Sequence, residues 1–142
     1  MRHLIRLVVF SAVLGPLACD NPADPLRNVN VTVSVSSSVI RGNESTQITT
    51  TFENTGWRDA YVPSRSCGPF FAIVNEQGEY VDLDPEACTL DLPRALRLAP
   101  GDRAQFTGTW DGRDRHGTRT PGDYRIVAKF FGGRGAVVRV LD

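Results

Sequence analysis

The 142-residue chain has no excess charge of either sign, one lysine and one methionine. Beyond its first eighteen residues it has a single histidine and no apolar run long enough to cross a bilayer. Each absence excludes something. Sixteen basic side chains balance sixteen acidic ones, so no positive field exists to gather phosphate backbones, and nucleic acid is not an expected partner. Every basic residue except Lys129 is arginine, which reads as compositional bias rather than as a phosphate grip. His116 lacks the three or four further ligands, at suitable spacing, that a zinc site requires. No metal and no cofactor are expected. No G-x-S-x-G nucleophile elbow occurs and no serine lies near His116 in sequence, so the reading names no catalytic residue. Apolar positions after residue 18 do not recur with a period of 3.6, which removes amphipathic helices from the expected fold.

What is present begins with a targeting segment. MRHLIR carries positive charge, LVVFSAVL is apolar, and GPLA ends in small and turn-forming residues just before Cys19. The run from Leu7 to Leu17 would extend about 16 Å as a helix at about 1.5 Å per residue, against the roughly 30 Å of a bilayer core. Residues 1–18 are therefore expected to be a signal peptide of lipoprotein type. A cysteine at the cleavage point resembles the lipobox of bacterial lipoproteins, in which that cysteine is acylated and holds the protein on the cell membrane or the outer membrane. Ordinary secretion is the alternative. Removing Arg2 and Arg6 leaves a mature net charge of −2. Cys67 and Cys88 are then the remaining thiols, and in an oxidising compartment they are expected to pair as a disulfide. The competing reading makes Cys67 a nucleophile.

Residues 19–28, with their prolines and polar side chains, read as an extended tether of roughly 30 Å. From residue 29 to 142 the pattern is that of strands. Val29, Val31, Val33 and Val35 alternate with Asn30, Thr32, Ser34 and Ser36, a period of two carried by β-branched side chains. After a turn at RGNES, Ile48, Thr50 and Phe52 alternate with Gln47, Thr49, Thr51 and Glu53. PFFAIV and GEYVDL flank Asn75-Glu76-Gln77 as a hairpin, and Ala104, Phe106, Gly108 and Trp110 share a face. Tyr124, Ile126, Ala128 and Phe130 share another, and the chain closes with Val138 and Val140 inward and Arg139 outward. Seven to nine short strands separated by turn signals predict an all-β domain, an antiparallel β-sandwich.

The segment WDGRDRHGTRTPGDY, residues 110–124, concentrates charge, glycine and proline between two aromatics. It is read as a wet connection between strands, with Trp110 and Tyr124 as core aromatics and room for recognition between them. The acidic stretch from Glu76 to Asp91 is rich in oxygen ligands but lacks EF-hand spacing. It reads as a solvated edge, with a calcium site as the alternative. FGGRGAV lacks the strand-to-helix setting of a phosphate loop and reads as the last hairpin turn.

The run LAPGDRAQFTGTWDGRDRHGTRTPGDYRIVA, residues 98–128, gives the order L-x-P-G-[DE], W-[DN]-G-x-D-x-x-G, P-G-x-Y-x-[IV]-x-A. This resembles the intracellular proteinase inhibitor (BsuPI) family and the Ig-like repeats of flagellar hook-capping proteins. The resemblance implies an Ig-like β-sandwich, and some relatives inhibit serine proteases. The expected function is thus a membrane-tethered, non-catalytic module of the bacterial cell envelope that binds a protein or peptide, with protease inhibition as a specific version. Arg65-Ser66-Cys67 and the segment carrying Arg113, Arg115, His116 and Arg119 are the candidate binding loops. A carbohydrate-binding accessory module is the alternative, for which Trp57, Tyr61 and Tyr80 would supply stacking faces. The sandwich reading instead expects these three aromatics in the core.

Overall fold

A computed structural model describes residues 28–64, 70–81, 94–129 and 135–142. The described residues form nine strands and no helix, an all-β architecture. The strands are β1 (Val29–Val35), β2 (Val39–Arg41), β3 (Thr46–Asn54), β4 (Ala60–Ser64), β5 (Phe71–Val74), β6 (Arg94–Leu98), β7 (Arg103–Trp110), β8 (Gly122–Ala128) and β9 (Ala136–Leu141). Three sheets result, in the orders β1-β3-β7, β2-β9-β8-β5 and β4-β6.

The alternating valines of β1 face inward and its polar residues outward. On β3, Thr46, Ile48, Thr50, Phe52 and Asn54 are all buried, one face of the strand. The pairing β1-β3-β7 sets Thr32 beside Thr51 and Ser34 beside Thr49, with Thr51 next to Gln105 and Thr49 next to Thr107. The outer face of this sheet is therefore a grid of hydroxyls and amides. Gln105 Nε2 donates to Thr51 Oγ1 at 3.2 Å, and Arg103 meets Glu53 at 2.7 Å. Such cross-strand pairs each add a few tenths of a kcal/mol, up to about 1.

Inward faces of the two larger sheets meet in one apolar cluster. Ile48 and Trp110 come from β3 and β7, and Ile40, Phe71, Ile73, Tyr124, Ile126, Val138 and Val140 from the four-stranded sheet. Each fully buried aliphatic or aromatic side chain here contributes about 1.5–3 kcal/mol. A second cluster of Phe52, Val62 and Leu98 joins the three-stranded sheet to β4-β6, with the rings of Phe52, Phe70 and Phe106 packed together.

The pairing departs from the expected antiparallel scheme at one place. After β1 the chain leaves the first sheet at Ser36–Ser38 and enters the second as β2, which runs parallel to β9. Thr46 Oγ1 holds this crossing, accepting the Ser37 N–H at 3.0 Å and donating to the Ser37 carbonyl at 2.9 Å. Three consecutive serines end the valine alternation, and the inward phase shifts so that Ile40 is fully buried. The expected hairpin at Asn75–Gln77 is present as a tight reversal: Gly78 N–H donates to Asn75 O at 3.0 Å, and Val81 N–H to Ile73 O at 3.0 Å. Among the described residues its return limb makes one bridge, Val74 with Tyr80, while β5 pairs along its length with β8.

The register fixes two ends of the molecule. Val29, Asn54 and Arg103 lie at one end, and Val35, Thr46 and Trp110 at the other. Seven rises of about 3.3 Å along β7 separate them by roughly 23 Å.

Candidate functional site

Trp110 closes β7 and Tyr124 sits near the start of β8, so the 111–121 loop must return the chain across the far end of the molecule. Both aromatics are core residues, 6% and 8% exposed, and their rings meet edge to face at 5.0 Å. Each keeps a polar handle on the loop. Trp110 Nε1 donates to Arg113 O at 2.8 Å, and the Tyr124 hydroxyl donates to Thr120 O at 2.7 Å. Burial, with the nearby Asp114 charge second, pushes the Tyr124 phenol above its ordinary pKa.

Inside the loop, Asp114 organises a second reversal. Its Oδ1 accepts the N–H groups of His116 and Thr118, both at 2.8 Å, and its own N–H donates to Thr118 O. The Thr118 contact, with that of His116 adding to it, holds the Asp114 carboxyl below the usual carboxylate range. Gly117 carries a φ of 79° at this turn, a left-handed conformation that a side chain would strain. Arg113 and Arg119 face each other as an isolated bridge.

Arg119 is turned inward. Its Nη1 donates to Asp111 O at 2.7 Å, and its Nη2 to Ile40 O at 3.1 Å and Leu141 O at 3.4 Å. One guanidinium thus ties the loop to the ends of β2 and β9. Gly112 lies against it; a Cβ there would fall 3.0 Å from Ile40 Cδ1 and 3.2 Å from Arg119 Nη1. Arg115 and His116 are exposed, and Arg115 Nε donates to His116 Nε2 at 3.1 Å. The Arg115 N–H donates to Val81 O at 3.0 Å, which joins this loop to the Asn75–Val81 reversal.

Between those two segments lies a cleft of about 310 Å³. Trp110 and Tyr124 line it together with the carboxylates of Glu76, Glu79, Asp114 and Asp123. Among the described residues that line it there is no lysine, arginine, histidine, serine or cysteine. Asp123 is held by Arg139 through two hydrogen bonds of 2.6 and 2.7 Å, which lower its pKa. Its N–H donates to Glu76 Oε1 at 3.3 Å, and Glu79 Oε2 accepts from Asn75 Nδ2 at 3.0 Å. The two carboxyl groups whose pKa is displaced are both pushed down, so they are held as anions. A negative, aromatic-backed cleft suits a cationic group better than it suits proton transfer, which needs a carboxyl pushed up.

Sequence reasoning did not anticipate this cleft, because its walls come from segments some thirty residues apart. It also expected Trp57, Tyr61 and Tyr80 in the core; they are instead 75%, 47% and 57% exposed. The other aromatics, chiefly Phe52, Phe70, Phe106 and Trp110, fill the interior, and these three lie on the reversals and on β4, outside it. Trp57 and Tyr61 follow β3 at one end of the molecule, and Tyr80 adjoins the cleft end. Cys19, Arg65, Ser66, Cys67, Cys88, Phe130 and the acidic residues from Asp82 to Asp91 lie outside the described residues. Among the described residues no group of three or more His, Cys, Asp or Glu is placed to hold a metal ion, and no helix is long and apolar enough to cross a membrane.

No protein-family model matches the chain, and no curated protein matches it in sequence. Among solved structures it is similar to the alkylpurine DNA glycosylase AlkC of Pseudomonas fluorescens, bound to DNA containing an abasic-site analogue. The TM-score is 0.53 at 15% identity, over 81% of this chain and 31% of that one. A β-glucosidase from Listeria innocua in complex with glucose aligns over 80% of this chain and 16% of its own, at 12% identity, with a TM-score of 0.39, too low to support a shared fold. The likeness to the glycosylase concerns the fold alone, and this chain spans less than a third of that protein's length.

Proposed function

We propose that the chain is an exported, membrane-tethered and non-catalytic module, folded as an Ig-like β-sandwich, that holds a protein or peptide partner at the cleft between the Asn75–Val81 reversal and the 111–121 loop. The sandwich reading is supported by a three-stranded and a four-stranded sheet sharing one apolar core, and by a first strand divided between them. The observation that carries the binding reading is the cleft itself: about 310 Å³, lined by four carboxylates and two ring edges, on a loop braced by Asp114 and Arg119. A lysine or arginine side chain of the partner would lay its stem on Trp110 and Tyr124 and its charge among Glu76, Glu79 and Asp114. Phosphate backbones would be repelled there, so nothing of the glycosylase's DNA is carried over.

The test uses the mature full chain as bait on envelope proteins, beside a Glu76→Lys, Glu79→Lys double variant and a Thr107→Lys control on the opposite, polar sheet face. A partner retained by wild type and control and lost by the double variant supports the cleft. Equal recovery on all three rejects it. Protease inhibition, the version implied by the BsuPI resemblance, is tested by titrating the same chain into subtilisin-like and trypsin-like proteases, where unchanged rates at micromolar chain reject that version. The 113–119 segment is closed on itself by the Arg113–Arg119 bridge, unlike the extended loop a protease docks. A carbohydrate-binding reading is favoured by one observation, the exposure of Trp57, Tyr61 and Tyr80; soluble glycans that shift Trp57 emission would support it.

A further inference from the structure

Asn28, the first described residue, lies beside the most exposed large apolar side chain among the described residues. Thr55 donates to Asn28 O twice, through its N–H at 2.8 Å and its Oγ1 at 3.0 Å. Asn28 is also pressed against Gly56, where an added Cβ would fall 2.7 Å from Asn28 Cβ. The next residue, Trp57, exposes three-quarters of its surface, and the Arg58 guanidinium lies 4.0 Å from its ring centroid. The buried amide of Asn54 fixes the loop that displays it. Asn54 Nδ2 donates to Arg58 O at 2.7 Å and Leu98 O at 2.9 Å, and Oδ1 accepts the Gly56 N–H at 2.9 Å. Tyr61, nearly half exposed, stands across β4-β6 from Arg97. An exposed indole held on a fixed loop leaves a large apolar ring in water, which favours its burial against another apolar surface.

Cys19 lies nine residues before Asn28. At about 3.1 Å per extended residue, that tether reaches no more than about 30 Å. A lipid on Cys19 therefore keeps the Asn28 end of the fold near the membrane, and with it Trp57. Tryptophan, tyrosine and arginine are the side chains suited to the headgroup layer, where rings meet acyl chains and guanidinium meets phosphate. The acidic cleft sits at the opposite end of β7 from Arg103, where anionic headgroups would not draw it inward. We propose that Trp57, with Arg58 stacked on it, rests in the headgroup layer of the membrane that holds Cys19. This contact sets the domain upright with its cleft facing away. The inference rests on the membrane-tethered reading and adds to it an orientation and a second contact.

The chain carries two tryptophans, and only Trp57 is exposed; Trp110 is buried at the far end. The full chain, exported and matured in the cell, is reconstituted into vesicles of phosphatidylethanolamine and phosphatidylglycerol, and its emission is compared in ordinary and brominated-acyl lipid. Brominated lipid is expected to remove most of the emission contributed by Trp57 and to leave that of the Trp57→Phe chain unchanged, while both chains float with the vesicles. Arg58→Glu is expected to reduce the quenching. Flotation with undiminished wild-type emission would overturn the inference while leaving the anchor intact. A chain that does not float overturns the anchor reading and the inference with it. Emission indifferent to brominated lipid but shifted by soluble peptidoglycan fragments overturns it in favour of a glycan contact.

Discussion

Thr46 and Thr50 lie on the same buried face of β3, and neither has exposed surface. They nevertheless differ in what their hydroxyls do. Thr46 Oγ1 joins both the N–H and the carbonyl of Ser37, whereas Thr50 Oγ1 has no partner among the described residues. Valine has nearly the shape of threonine without the hydroxyl, so the two substitutions separate packing from hydrogen bonding. Thr46→Val is expected to cost about 1–3 kcal/mol, because it strands the Ser37 amide at the strand crossing. Thr50→Val is expected to be neutral or to stabilise by about 1 kcal/mol, because it removes a desolvated and unpaired hydroxyl. Urea midpoints of the two variants against wild type check the pair, and a loss of equal size in both would refute this division of roles.

At the scale of elements, β2 is a short edge strand that joins the two larger sheets. It pairs over three residues, parallel to β9, and its end is held by Arg119 rather than by a longer ladder. Arg119→Met is expected to destabilise by about 2 kcal/mol, since it leaves the carbonyls of Asp111, Ile40 and Leu141 without their charged donor. Arg119→Lys should recover only part of this, because an ammonium group cannot fork across three carbonyls as a guanidinium does. Hydrogen exchange is the sharper readout: protection of the Arg139 amide, which donates to Ser38 O at the start of this joint, should fall well before that of β3. An equal loss in both strands would mean that Arg119 supports the whole core and not this joint. The same geometry explains why Arg119, grouped by its sequence neighbours with the surface arginines, does not share their exposure. Only the arrival of β2 and β9 creates the carbonyl cage it fills.

At the scale of the molecule, both ends of the described residues carry charges of both signs, Arg113 and Arg139 beside Asp111 and Asp123 at one and Asp59 and Glu53 beside Arg97 and Arg103 at the other. The cleft end holds carboxylates that the fold keeps ionised, Asp114 through the Thr118 and His116 amides and Asp123 through Arg139. A carboxyl whose folded pKa lies below its unfolded value contributes stability above the unfolded value and loses it as pH falls through the folded one. The urea midpoint is therefore expected to be level near neutrality and to fall below about pH 4, where unfolded aspartates take up protons. Asp123→Asn should lower the midpoint near neutrality and flatten the acid limb, and an acid limb as steep as that of wild type would show that Asp123 is not one of its sources. The opposite end carries Asn28, Trp57 and Arg58. Trp57 and the cleft thus lie toward opposite ends of one set of strands.

Much of this was legible in the sequence. The period of two in Val29–Val35, Thr46–Asn54 and Ala136–Leu141 is set by the pleat of the backbone itself, which sends successive side chains to opposite faces whatever the rest of the chain does. So strands, faces, the turns at Gly42 and Gly101, and the core positions of Trp110 and Tyr124 follow from local chemistry. The tertiary structure alone decided which aromatics are covered, since hydrophobicity drives rings inward without choosing among them: Phe52, Phe70 and Phe106 pack with Val62, while Tyr61, its neighbour on β4, and Trp57 are left exposed. It also decided the phase change at Ser36–Ser38, the inward turn of Arg119 and the joining of the Asn75–Val81 reversal to the 111–121 loop. Those features depend on partners that arrive from distant segments, and no window of neighbouring residues contains them.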